Sequence, residues 1–237
     1  MSFDAPFVEG GASLILSPDK LDIRVTAVTS DGSAVAVEGC TETSLASGTY
    51  TWLQATGTRV ILKGNIIELY CYSNQLTALN VQGLTALERL HCSGNQLTAL
   101  NVQGLTALQV LGCYNNQLTE LNVQGLTSLQ GLLCGGNQLT ELNVQGLTAL
   151  QWLSCGGNQL TALDVQGLTT LDRLECFNNQ LTALNVQGLS TLQELRCGGN
   201  RLTALNVQGL TALQELYCYN NQLNADAFKK LFDDLPV

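Results

Sequence analysis

"LHCSGNQLTALNVQGLTALQVLGCYNNQLT" (Leu90–Thr119) states one pattern almost twice, the second statement beginning at Leu111. Most positions return letter for letter, yet Arg89 becomes Val110, His91 becomes Gly112 and Ser93 becomes Tyr114. The same spacing runs outward in both directions. Cysteines stand at 71, 92, 113, 134, 155, 176, 197 and 218, at one unchanging interval, with Cys40 outside the series. Three residues after each comes an asparagine (Asn74 through Asn221), and two further on a leucine (Leu76 through Leu223). The unit is L-x-x-L-x-C-x-x-N-Q-L-T-x-L-N-V-Q-G-L-T-x, a leucine-rich repeat pattern with one strand and one short return path per unit.

In "RLHCS" Leu90 and Cys92 are two residues apart, so on a strand both point one way while Arg89, His91 and Ser93 point the other. Leucine and cysteine face inward. No unit can close its own apolar face, so successive units must stack as parallel strands, and each asparagine is expected to turn inward and satisfy backbone groups at the bend. The return segment, such as "LNVQGLT" from Leu100 to Thr106, is too short for more than about one helical turn and is expected to be extended or 3₁₀. The expected fold is a leucine-rich-repeat solenoid with its parallel sheet on a gently concave face.

Three outward rows carry almost all the variation between units. Three before each cysteine stand Glu68, Arg89, Val110, Gly131, Trp152, Arg173, Glu194 and Glu215. One before stand Tyr70, His91, Gly112, Leu133, Ser154, Glu175, Arg196 and Tyr217, and one after stand Tyr72, Ser93, Tyr114, Gly135, Gly156, Phe177, Gly198 and Tyr219. Interior positions are fixed because neighbours must interlock; outward ones are free. Freedom alone does not choose Val110, Tyr114, Leu133, Trp152 and Phe177 for mid-array, beside Gly112, Gly131, Gly135 and Gly156, which are expected to leave hollows. Aromatic anchors beside open pockets suit a binding face, although aromatics also simply suit strands. Tyr70, Tyr72, Tyr114, Trp152, Phe177, Tyr217 and Tyr219 are the expected anchors, with Val110 and Leu133 beside them. Arg89, Arg173, Glu175, Glu194 and Arg196 would orient a partner, with Arg173 paired to Glu194 and Glu175 to Arg196, and His91 and Glu215 are expected as further solvent-facing contact residues.

Both raw edges of a parallel stack should be covered. At the front, residues 1–58 read as a β-rich cap, with a hairpin expected around Asp31–Gly32. "TRVILKGN" then ends in Leu62 and Asn65, a shortened echo of the repeat that opens an array over 59–222. At the back, 223–237 reads as a capping helix with Ala227, Phe228, Leu231, Phe232 and Leu235 on one face, Asn224 or Asp226 as N-cap and Pro236 as stop.

The run C-x-x-N-Q-L-T-x-L-N-V is similar to the cysteine-ladder leucine-rich repeats of internalin J-type bacterial surface proteins and related repeat proteins of oral spirochaetes and Bacteroidetes. The match covers roughly Thr58 to Leu223, and the closing "NQLNADAFKKLFDDLP" is similar to how such arrays end. The resemblance implies an extracellular or cell-surface protein that binds a host or bacterial protein or glycan. The sequence differs from the full family form in showing no secretory signal, no sorting or membrane anchor and no adjoining immunoglobulin-like module.

Composition narrows the remaining classes. With 45% hydrophobic residues in 237 a folded core is expected, and a net charge of −9 with only ten Lys plus Arg argues against nucleic acid. No apolar run approaches the roughly 18 to 20 residues that cross a bilayer, so no membrane insertion is expected. A monomer is expected. A zinc site needs thiolates converging on a point, whereas these cysteines form a line, and parallel side chains suit a disulfide poorly. No metal or cofactor is expected. The one histidine, His91, has no triad-like neighbours, so no enzyme is expected; an activity in the N-terminal cap would rest on scattered carboxylates such as Asp22, Asp31 and Glu38, without a base or metal cluster. A structural or consensus-engineered scaffold without a ligand is the alternative, because the units are nearly identical.

Overall fold

The alternation of inward leucine and cysteine with variable neighbours produces, in each unit, a three-residue strand. The computed structural model describes residues 5–235. Strands β1 (Gly11–Leu16), β2 (Asp22–Thr29), β3 (Val35–Glu38), β4 (Ser44–Leu45), β5 (Thr51–Gln54) and β6 (Arg59–Lys63) come first. Then follow β7 (Ile66–Tyr70), β8 (Leu76–Asn80) and the repeat strands β9 (Arg89–His91), β10 (Val110–Gly112), β11 (Gly131–Leu133), β12 (Trp152–Ser154), β13 (Arg173–Glu175), β14 (Glu194–Arg196) and β15 (Glu215–Tyr217). Helix α1 (Ala225–Asp233) closes the described chain.

From β7 to β15, β8 apart, the strands pair parallel and in register, Leu69 beside Leu90 beside Leu111 and so on to Leu216. The leucines from Leu69 to Leu195 and the thiols from Cys71 to Cys197 are fully buried, which fixes the register because a slip of one residue would turn every side chain over. All nine cysteines are free thiols. Each asparagine binds two units: Asn116 Nδ2 donates to the Cys92 and Cys113 carbonyls at 3.1 and 3.0 Å, and its Oδ1 accepts from Leu97 N–H at 3.1 Å. The return path is a pair of consecutive turns, Leu105 N–H to Val102 O and Leu108 N–H to Leu105 O, at 3.2 and 2.9 Å. A further ladder tightens that side, with Gln103 Nε2 donating to Asn122 O at 2.8 Å.

The ends depart from the expected pattern in three ways. No hairpin forms at Asp31–Gly32. β2 pairs with β5 and β7, whereas β3 pairs with β4 and β6, so this turn carries the chain from one sheet to the other. It is closed by Ser33 N–H donating to Asp31 Oδ1 at 3.0 Å, with Gly32 at φ 71°. The echo of the repeat at Leu62 and Asn65 is not a unit of the stack either. β6 lies in a five-stranded sheet ordered β4-β3-β6-β1-β8, and Asn65 Nδ2 donates to Asp31 Oδ2. Finally, α1 is N-capped by Asn224, whose Oδ1 accepts from Ala227 N–H at 2.9 Å, but only Leu231 is buried; Phe228 and Phe232 are exposed. Helical spacing shows which stripe is apolar, not how much of it the end of the array covers. Pro236 lies outside the described residues.

β2 does more than flank the array. It lies antiparallel against β7, Ala27 opposite Leu69, and extends the long sheet to the order β15-β14-β13-β12-β11-β10-β9-β7-β2-β5. Asn74 reads the Arg24 backbone as later asparagines read a preceding repeat: Arg24 N–H donates to Oδ1 at 2.9 Å and Nδ2 donates to Arg24 O at 2.8 Å. The asparagine ladder therefore begins inside the cap.

Candidate binding face

The strand alternation that buries Leu and Cys places the three variable rows on the other side of the sheet. The rows are more tightly interlocked than a free surface would be, with Ser93 and Glu194 buried. Tyr70 stacks on His91 with ring centroids 4.9 Å apart and planes 5° from parallel. Burial, helped by the Arg89 charge, lowers the His91 pKa and favours the neutral ring. Tyr70 donates its hydroxyl to Glu68 at 2.7 Å; burial and this bond to a carboxylate push its pKa up to about 12.

The charged residues pair across strands. Arg89 meets Glu68 at 3.5 Å, Arg173 meets Glu194 at 2.8 Å and Arg196 meets Glu175 at 3.8 Å. Arg196 is also bonded through Nε to Glu194 in its own strand, and Glu194 is buried. Such pairs contribute about 0.2–1 kcal/mol each and chiefly fix side-chain direction. The Arg173 and Arg196 guanidinium groups lie over the rings of Trp152 and Tyr217, at 5.3 and 4.9 Å from the centroids. Glu215 is exposed and accepts from the Tyr217 hydroxyl at 3.2 Å.

The expected glycine hollows need correction. A side chain at Gly112 would meet the His91 ring at 2.8 Å, and one at Gly156 would meet the Phe177 ring at 2.7 Å, so both spaces are filled by neighbouring rings. At Gly135 the Gly156 carbonyl stands 2.8 Å away. Half-buried rings fold down on glycines because doing so removes apolar surface from water. Only Gly131 remains open, its nearest neighbour being Val110 at 3.7 Å. It floors a depression of about 350 Å³ bordered by Val110, Trp152 and Arg173. Leu133 is half-buried on the adjacent row. A second depression of about 320 Å³, which the repeat pattern does not single out, lies between Phe177, Arg196, Gly198, Tyr217 and Tyr219. Tyr72, Tyr114, Tyr217 and Tyr219 are the most open aromatics of the array face, Tyr219 at 61%.

Sequence reasoning missed part of this surface. Because β2 and β5 continue the sheet, Arg24 and its strand partner Trp52 stand on the same outward face, with Tyr50 beside them. The alternation in "DIRVTAVT" does place Arg24 opposite Ile23 and Val25, but nothing in it says that this strand joins the array.

Among the described residues no group of three or more His, Cys, Asp or Glu could hold a metal ion, and no helix is long and apolar enough to cross a membrane. The ladder thiols are held protonated by burial, with the pKa of Cys71 at about 12, so they are poor ligands and poor nucleophiles.

A parallel stack of 21-residue units with an inward row of cysteines is a leucine-rich-repeat solenoid of the cysteine-ladder kind. The chain is similar to the functional domain of internalin J from Listeria monocytogenes, described as including a cysteine ladder, at 30% identity and TM-score 0.58 over 75% of this chain and 45% of that one. It is also similar to a leucine-rich-repeat protein of Leptospira interrogans, at 30% identity and TM-score 0.58 over 65% of this chain and 46% of that one. A third is internalin F of Listeria monocytogenes, at 30% identity and TM-score 0.57 over 63% of this chain and 46% of that one. The chain thus spans less than half the length of these neighbours. No family model and no curated protein matches it.

Proposed function

We infer that the chain is a non-enzymatic binding module that presents the outward face of its long sheet to a protein or glycan partner at a bacterial surface or in secreted form. The observation that carries this reading is where the variation sits. Units that are otherwise near copies differ on the outward rows, and there they place half-exposed and exposed aromatics among arginines already held in position by glutamates. Such residues bind with little loss of side-chain freedom, as interface hot spots do. The likeness to internalins supports the same direction. Trp152→Ala combined with Tyr114→Ala should abolish capture on a panel of extracellular-matrix proteins and glycans while the chain still unfolds in one cooperative transition, its midpoint lowered only by the packing that the half-buried Trp152 supplies. Undiminished capture by that variant rejects the face. A panel on which the unaltered chain captures nothing favours instead a scaffold without a ligand, the reading to which the near identity of the units would then point.

A further inference from the structure

We propose that Arg24, with Tyr50 and Trp52 against its guanidinium, is a subsite for a pyranose ring that carries a single carboxylate. The proposal rests on reading the outward sheet face as the binding face and extends it onto the N-terminal region.

Four arginines stand on that face. Arg89, Arg173 and Arg196 are each answered by a glutamate at 3.5, 2.8 and 3.8 Å. Arg24 alone has no carboxylate within ion-pair distance and no side-chain hydrogen bond among the described residues, and it is half-buried rather than enclosed. It is nonetheless held in place. Asn74 grips both its backbone N–H and its carbonyl, and the guanidinium lies 4.1 Å from the Tyr50 ring centroid and 4.9 Å from that of Trp52. A planar fork of donors, oriented in advance and without an acceptor, suits a carboxylate taken by two parallel hydrogen bonds.

The surroundings choose the rest of the ligand. Trp52 is 56% exposed and Tyr50 43%. Flat apolar rings flanking a charged fork match the C–H face of a sugar ring whose substituent is anionic. Charge limits that ligand to one carboxylate. The chain carries −9, and the next pair of the same two strands, Asp22 and Gln54, brings up Asp22 itself and Glu42, which accepts from Gln54 N–H, to oppose any second negative group. At physiological salt, fields fade within about 8 Å, so one carboxylate feels Arg24 while a polyanion feels the whole chain.

The test follows the Trp52 indole N–H by NMR during titration with methyl β-glucuronide, methyl β-glucoside, glucose 6-sulfate and acetylglutamate methylamide. The expected result is a saturable shift with the glucuronide and at least tenfold weaker binding of the other three. Arg24→Gln should weaken the glucuronide at least tenfold with an unchanged unfolding midpoint, since Asn74 reads only the backbone, and Arg24→Lys should recover little because it lacks the fork. No shift with glucuronide, equal binding of the neutral glucoside, or full binding by Arg24→Gln overturns the proposal. Equal binding of the sulfate or of the glutamate derivative overturns it in favour of a general anion site or an acidic protein contact. Trp152→Ala with Tyr114→Ala should leave the glucuronide titration intact, so this subsite can fail while the array face stands, and the reverse.

Discussion

Asn137 is one side chain serving two repeats. Its Nδ2 donates to the carbonyls of Cys113 and Cys134 at 3.1 and 3.0 Å, and its Oδ1 accepts from Leu118 N–H at 3.0 Å. Asn137→Ala leaves these groups buried and unanswered, each at a cost of about 1–3 kcal/mol, so a loss of about 3 kcal/mol or more is expected from denaturant unfolding. A loss below about 1 kcal/mol would mean that water enters the ladder and replaces the amide. The thiols give a second test at this scale. Cys40 and Cys218 are half-buried, while the seven from Cys71 to Cys197 are fully buried. Desolvation raises the Cys40 pKa to about 11, so even the reachable thiols carry little thiolate at pH 8. A disulfide reagent should label Cys40 and Cys218 slowly, and the other seven only after denaturant is added.

At the scale of elements, α1 is anchored to the end of the array through its one buried residue, Leu231. Asn224→Ala removes the cap on Ala227 N–H and should cost about 1 kcal/mol, read as faster hydrogen exchange over Ala225–Asp233. Leu231→Ala should cost about 2–5 kcal/mol because Leu231 is buried at the end of the core. Phe232→Glu should be nearly neutral, with Phe232 67% exposed. Phe232 also marks the limit of what periodicity reveals: its stripe is legible in "AFKKLF", its covering is not. The array itself was legible because a repeat of fixed length states register, facing and neighbours together; once Leu90 and Cys92 point inward, the positions of Trp152 and Tyr219 follow. The cap lacks such a repeat. β2 joins β7 although β3 to β6 lie between them in the chain, and that pairing is decided by tertiary fit, so Arg24 and Trp52 were invisible as site residues and Asp31–Gly32 looked like a hairpin. The glycine hollows failed for a third reason: alternation gives a side chain's face, but whether Phe177 stands up or lies over Gly156 depends on the apolar area that lying down removes from water.

Across the whole molecule the repeats act in series, each resting on its neighbours, so a property shared by every unit adds along the stack. The buried thiol is such a property. Burial raises the pKa of Cys71 and Cys197 to about 12 and that of the five between them well above the ordinary 9.0. An unfolded thiol ionises near about pH 8.5. Between about pH 9 and pH 12 the unfolded chain therefore gives up protons that the folded chain keeps, and the balance moves toward the unfolded state as pH rises. Stability from this source is complete below about pH 8 and is lost upward, at up to about 1.4 kcal/mol per pH unit for each thiol. With seven thiols in one stack, the denaturant midpoint should fall steeply from about pH 9 to about pH 10.5 and change little from about pH 6.5 to about pH 8. Cys134→Ala separates this cause from the ionisation of surface tyrosines and lysines. It lowers stability at every pH by opening space in the core, but it should flatten the part of the alkaline slope that the seven ladder thiols supply by about one seventh, one thiol's share of an additive stack. A slope identical to that of the unaltered chain would mean that the ladder thiols are not what alkali attacks.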